Sequence, residues 1–127
     1  MIVLDASVLI AHLDVTDALN DRAQVLLDST AGQALAASVM TVAEILVGPT
    51  NAGTAERAMA VLRQLGVANL GIDGDAVFRL AALRSTTGLR LPDCCVLLAA
   101  EREGAAVATF DKRLASAARA EGLNVLE

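Results

Sequence analysis

Four carboxylates are placed where chemistry is easily done. Asp5 directly follows the apolar run Ile2-Val3-Leu4, Asp111 comes just after the apolar stretch Ala105 to Ala108, and Asp93 directly follows Pro92. Glu44 differs, since it falls inside a segment of helical spacing and must reach any shared site with its longer side chain. Carboxylate oxygens are hard donors suited to Mg²⁺ or Mn²⁺. Paired ions of that kind activate a water, neutralise a phosphate and stabilise a leaving oxygen, which is what phosphodiester hydrolysis needs. Gathered together, the four acids would carry a charge of about −4, and in the absence of metal their repulsion would raise the pKa of some of them. Each also has a plainer use. Asp93 and Asp111 could stabilise helix N-termini, worth about 0.3 to 1 kcal/mol each, and Thr41-Val42-Ala43-Glu44 fits a capping box. Asp5, at the mouth of a buried strand, has the least structural reason to be acidic.

The elements that must position these acids alternate. Ile2 to Leu4 reads as a buried strand and Ser7 to Leu13 as a helix, followed by a helix from about Ala18 to Asp28. A buried strand is expected over Gln33 to Ala37. Ser38 or Thr41 then caps a helix that runs through Val47 and stops at Gly48-Pro49. Thr54 opens a helix ending near Gly66, Val67 to Leu70 is a strand, and Asp73 caps a helix to about Thr87. The last third repeats the alternation: a helix from Leu91-Pro92-Asp93 to about Glu103, a strand over Ala105 to Ala108, a helix from Asp111 to Ala120, and a strand over Asn124 to Leu126. Short, continuously apolar strands between helices imply an α/β fold with a central parallel sheet covered on both faces. In such sheets sites form beyond the carboxyl ends of the strands. No repeat or linker interrupts residues 1–127, so one domain is expected.

Composition narrows the function. Apolar residues make up 55% of the chain, and mean hydropathy is +0.56. Yet the apolar run Cys94 to Ala100 is bounded by Asp93 and Glu101, far short of the roughly 20 residues a membrane helix requires. With no basic segment before Ile2-Val3-Leu4, no secretion signal and a cytoplasmic location are expected. So much apolar surface on one small domain favours self-association or a buried partner. The two cysteines, Cys94 and Cys95, are neighbours, which excludes a disulfide framework and suits a reduced, buried pair. A net charge of −5 argues against holding nucleic acid by bulk electrostatics. Trp and Tyr are absent, so base stacking is no main binding mode either. The lone His12 is expected as a half-buried packing residue, and no nucleophilic triad can be drawn.

Four stretches carry a resemblance. VLDASVLIA (3 to 11), SVMTVAEILVG (38 to 48), LPDCCVLLAA (91 to 100) and ATFDKRL (108 to 114) resemble, in order and spacing, the successive acidic motifs of PIN-domain nucleases. More narrowly they resemble VapC-type toxins of type II toxin–antitoxin systems. The resemblance implies a three-layer α/β/α domain with Asp5, Glu44, Asp93 and Asp111 around Mg²⁺ or Mn²⁺, Asp5 and Asp93 being the principal direct ligands. Ser7 and Thr109 match the family's hydroxyl positions beside the first and last acids. It further implies an endoribonuclease with an RNA substrate, a cognate antitoxin and a homodimer. The family often has a basic or polar residue before the final acid; Phe110 stands there instead, which puts a substrate contact in doubt. Arg84, Arg90, Lys112 and Arg113 are candidates to hold flanking phosphates. A receiver domain would need a second Asp near residues 48 to 54, which read GPTNAGT, and a haloacid-dehalogenase-type phosphatase would need Asp where Ser7 stands. The remaining alternative is a PIN-like binding module without catalysis, whose acids receive an arginine-bearing partner.

Overall fold

The computed structural model describes residues 1–127 and consists of a five-stranded, wholly parallel sheet with helices on both faces. The strands are β1 (Ile2–Leu4), β2 (Leu35–Ser38), β3 (Val67–Leu70), β4 (Ala106–Ala108) and β5 (Val125–Leu126), in the order β3-β2-β1-β4-β5. The helices are α1 (Ala6–Leu13), α2 (Asn20–Ser29), α3 (Val39–Asn51), α4 (Ala55–Gln64), α5 (Val77–Thr87), α6 (Leu91–Glu103) and α7 (Lys112–Ala120), with a 3₁₀ turn at Gly74–Ala76. The expected α/β/α class and alternation are what the chain adopts.

Successive strand residues point to opposite faces, and each face has its own core. Ile2 and Leu4 of β1 join Val8, Leu9, Leu26, Val42, Ile45 and Leu62 beneath α1 to α4. Val3 and Val107 face the other way, onto Leu83, Leu97, Leu98, Leu114 and Ala118 of α5, α6 and α7. Every residue from Cys94 to Ala100 is buried, because α6 packs against the sheet, α5 and α3 at once. Both cysteines are free and buried there, as expected. No helix is long and apolar enough to cross a membrane.

Two local expectations need correction, and a third is resolved to one of its two alternatives. Gly48-Pro49 does not stop α3, which continues to Asn51. A residue before proline is kept out of the helical region partly by its Cβ, and Gly48 has none; the next turn is closed by Ala52 N–H donating to Gly48 O at 3.0 Å. Asp73 makes no side-chain cap. Gly74 weakens the helix at its start and Asp75 is held by Arg102 at 3.1 Å, so a 3₁₀ turn intervenes and α5 begins at Val77. Finally, α3 is capped by Ser38, whose Oγ accepts from Met40 N at 3.2 Å, while Thr41 is buried at the third helical position. The capping box that would have explained Glu44 is therefore not formed.

Truncating Leu97 to Ala, in the middle of the all-buried helix, is expected to cost about 2 to 5 kcal/mol. Val25→Ala, on the exposed side of α2, should stay within about 0.5 kcal/mol. Urea unfolding of both variants checks the assignment of core and surface.

Candidate active site

The site lies where the chain changes direction across the sheet. From β1 it runs outward to β2 and β3, then returns to lay β4 against the other edge of β1, so β1 and β4 flank the topological switch point. Their register pairs Leu4 with Ala108, which brings the next residues, Asp5 and Thr109, side by side at the carboxyl ends.

Asp5 is buried, and its Oδ2 accepts three hydrogen bonds: from Ser7 Oγ at 2.6 Å, Thr109 Oγ1 at 2.8 Å and Ser7 N at 3.3 Å. Both hydroxyls are used twice. Ser7 Oγ accepts from Phe110 N at 2.9 Å, and Thr109 Oγ1 accepts from Asp111 N at 3.0 Å. Asp5 thus does cap α1, a structural use not expected of it, but only through Oδ2; Oδ1 accepts nothing from the protein. Asp111 also caps: its Oδ1 accepts from Arg113 N at 2.8 Å and Leu114 N at 3.1 Å, leaving Oδ2 unengaged.

Asp5, Glu44, Asp93 and Asp111 line one open cleft of about 260 Å³ together with Ala6, Ser7, Ile10 and Arg90. All four sequence-derived acids therefore meet, one from the end of β1, one from mid-α3, one from the first turn of α6 and one from the start of α7. Arg90, just before α6, reaches over them, 3.8 Å from Glu44 and 3.9 Å from Asp93. Gly88, at φ +69°, closes α5 and turns the chain so that Arg90 faces the cleft. Burial, then the negative charge of Asp5, pushes the Asp93 pKa above its ordinary value; Asp111 and Glu44 add to this and Arg90 partly offsets it.

Other candidates fall elsewhere. Arg84 is a structural residue, donating to Leu89 O at 2.7 Å, while Lys112 and Arg113 line a separate groove. His12 is a half-buried packing residue whose Nδ1 lies 2.9 Å from Gln24 Nε2. Two features were missed. Ile10 lines the cleft one helical turn after Ala6, a spacing that could have revealed it. Arg22 lies over the Phe110 ring, 4.9 Å from its centroid. A cation therefore stands beside position 110 after all, supplied by α2, and no local sequence signal announces it.

A family model described as PIN domain matches residues 2–120. The chain belongs to the PIN domain family. Its fold is shared with the solved structure of a toxin–antitoxin complex from Klebsiella pneumoniae, at 23% identity and a TM-score of 0.76 over 91% of each chain. It is also shared with VapC20 of Mycobacterium tuberculosis, a toxin that cleaves the sarcin-ricin loop: 16% identity, TM-score 0.78, covering 92% of this chain and 95% of that one. FitAB bound to an IR36 DNA fragment is 25% identical, with a TM-score of 0.76 over 99% of this chain and 94% of the other. No curated protein sequence matches significantly.

As the side chains lie, no three acids of this PIN domain converge tightly enough to cage an ion. The donor set nonetheless fits a hard divalent cation. It consists of carboxylates alone, two of them keep an oxygen free of protein hydrogen bonds, and the half-buried Asp93 bears the strain of uncompensated negative charge.

Two outcomes test this geometry. Thr109→Val removes a buried donor to Asp5 and strands the Asp111 N–H, and should cost about 1 to 3 kcal/mol of stability and about 10- to 100-fold in divalent-ion affinity, measured by denaturation and calorimetry. Asp93 takes up a proton more readily folded than unfolded, so its ionised form costs stability above its raised pKa and that cost fades as the pH falls through it. Asp93→Asn should therefore raise the melting temperature of the metal-free protein at neutral pH, with the gain shrinking toward acid pH.

Proposed function

We propose that this PIN domain is a metal-dependent endoribonuclease serving as the toxin of a toxin–antitoxin pair, with Asp5, Glu44, Asp93 and Asp111 as its catalytic acids. The observation that carries the reading is their meeting in one cleft at the switch point of the sheet. Mg²⁺ or Mn²⁺ bound there would neutralise the scissile phosphate, activate water and stabilise the leaving oxygen. Asp5 offers its free Oδ1 and Asp93 its half-buried carboxylate as the principal ligands. Glu44 reaches in from α3 and Asp111 offers Oδ2, completing the site or orienting the attacking water. Ser7 and Thr109 act indirectly, by fixing Asp5 in one rotamer.

The fold relatives described as toxins or toxin–antitoxin complexes support the biological role. An RNA substrate follows from the family and from the cleft's need for a metal bridge between two anions. Met40 and Val47 lie on the same face of α3 as Glu44, one turn to either side, and both are exposed, as is Ile10 in the cleft. These apolar residues around the acids favour a covering antitoxin, and the exposed apolar surface as a whole favours a homodimer. The absence of a membrane-spanning helix accords with a cytoplasmic setting. A second reading, a PIN-like binding module without catalysis, is favoured by one observation: the Arg90 guanidinium already sits between Glu44 and Asp93, as an arginine-bearing partner's could.

Purified chain freed of any partner should cleave structured RNA with Mg²⁺ or Mn²⁺ and not with EDTA, and the Asp5→Asn, Asp93→Asn double variant should lose at least about 100-fold of that activity. Full activity in the double variant removes these acids from the mechanism. Tight binding of a partner without cleavage of any RNA tested selects the binding module. Expression should arrest growth, relieved by a small protein encoded alongside.

A further inference from the structure

A second cavity adjoins the acid cleft. It is a groove of about 410 Å³ between the C-terminal end of α5 and the outer side of α7. The two hollows share walls in sequence: Leu89 lines the groove and Arg90 the cleft, while Asp111 lines the cleft and Lys112 and Arg113 the groove. The chain thus passes from one hollow to the other at residues 89–90 and again at residues 111–112.

We propose that this groove is a second phosphate subsite, holding the backbone of a single-stranded RNA segment whose neighbouring phosphate lies in the acid cleft. This rests on the nuclease reading above and extends it to the path of the substrate. Lys112 and Arg113 are exposed, and neither has a carboxylate within ion-pair distance, unlike Arg79, Arg90, Arg102 and Arg119. The one acid on the groove, Glu121, is partly offset by Arg79 at 3.1 Å, a guanidinium it shares with Glu101. Thr86 and Ser116 present exposed hydroxyls that make no hydrogen bond within the protein. The groove therefore offers two uncompensated cations and two uncommitted hydroxyls, the donors that phosphate oxygens accept. A chain of net charge −5 cannot hold a polyanion by its overall field, so attraction must be local. Two neighbouring hollows suit a single strand, which can bend from one into the next, better than a stiff duplex.

The test compares Lys112→Ala/Arg113→Ala with Arg57→Ala/Arg63→Ala, an equal charge change at exposed positions on α4, both checked for folding by circular dichroism. Anisotropy of a labelled single-stranded oligoribonucleotide is read across a salt series. The groove variant should bind at least about tenfold more weakly, and its slope of log affinity against log salt should fall by about 1.4, or about 0.7 for each lost phosphate contact on a single strand. The α4 variant should match the unmodified protein, and cleavage of a dinucleotide, too short to span both hollows, should keep its kcat and KM. Equal weakening of both variants, or none in either, overturns the subsite. So does loss of binding to an acidic peptide with RNA binding unchanged, which assigns the groove to a protein partner. If the unmodified protein cleaves RNA while the groove variant behaves identically, the subsite alone fails; if it neither cleaves nor binds RNA, the nuclease reading fails with it.

Discussion

One oxygen atom, Oδ2 of Asp5, organises the site. It gathers two hydroxyls, one from the start of α1 and one from the turn after β4, and each hydroxyl in turn accepts a backbone N–H from the β4 turn. Oδ2 and both hydroxyls are fully engaged, and no buried side-chain polar atom in the protein lacks a partner. A buried carboxylate is tolerated only when so satisfied. The same satisfaction fixes the carboxylate's orientation and leaves Oδ1 free of protein hydrogen bonds, with Asp5 on the wall of the cleft. Asp111 divides its two oxygens in the same way, Oδ1 capping a helix and Oδ2 left free of protein hydrogen bonds.

Around that fixed point the other acids are less comfortable. Glu44 sits in mid-helix without a cap to make, and Asp93 is held close to three other carboxylates with its pKa raised. Arg90 softens the repulsion from a distance too long for a hydrogen bond. Such an arrangement is what a site looks like when its stabilising counter-charge comes from outside the chain.

Much of this was legible in the sequence because the governing signals are local. Continuous apolar triplets and quartets between helical stretches reveal a parallel sheet, and an acid directly after such a run reveals a strand end. Boundaries set by competing local effects were harder to read. Pro49 lies within α3 because Gly48 removes part of the steric objection, and Thr41 is spent on burial while Ser38 takes the cap. The long-range pairings had no signal at all. Arg22 and Phe110 meet only because the sheet brings α2 beside the β4 turn, and Arg84 is taken up by the Leu89 carbonyl. That Lys112 and Arg113 line a different hollow from their neighbour Asp111 follows from the pitch of α7, which a list of motifs does not contain.

The position of β1 has a temporal consequence. It precedes the domain's other elements in the chain, yet it lies at the centre of the sheet, and its partner on the active-site side is β4, about a hundred residues downstream. Contacts so distant in sequence form late and close large loops. A chain emerging from the ribosome therefore carries Asp5 with no Thr109 to orient it until nearly all of the domain has been translated. Any product truncated before β4 would hold three of the four acids without the Thr109 hydroxyl and the β4 edge that orient Asp5.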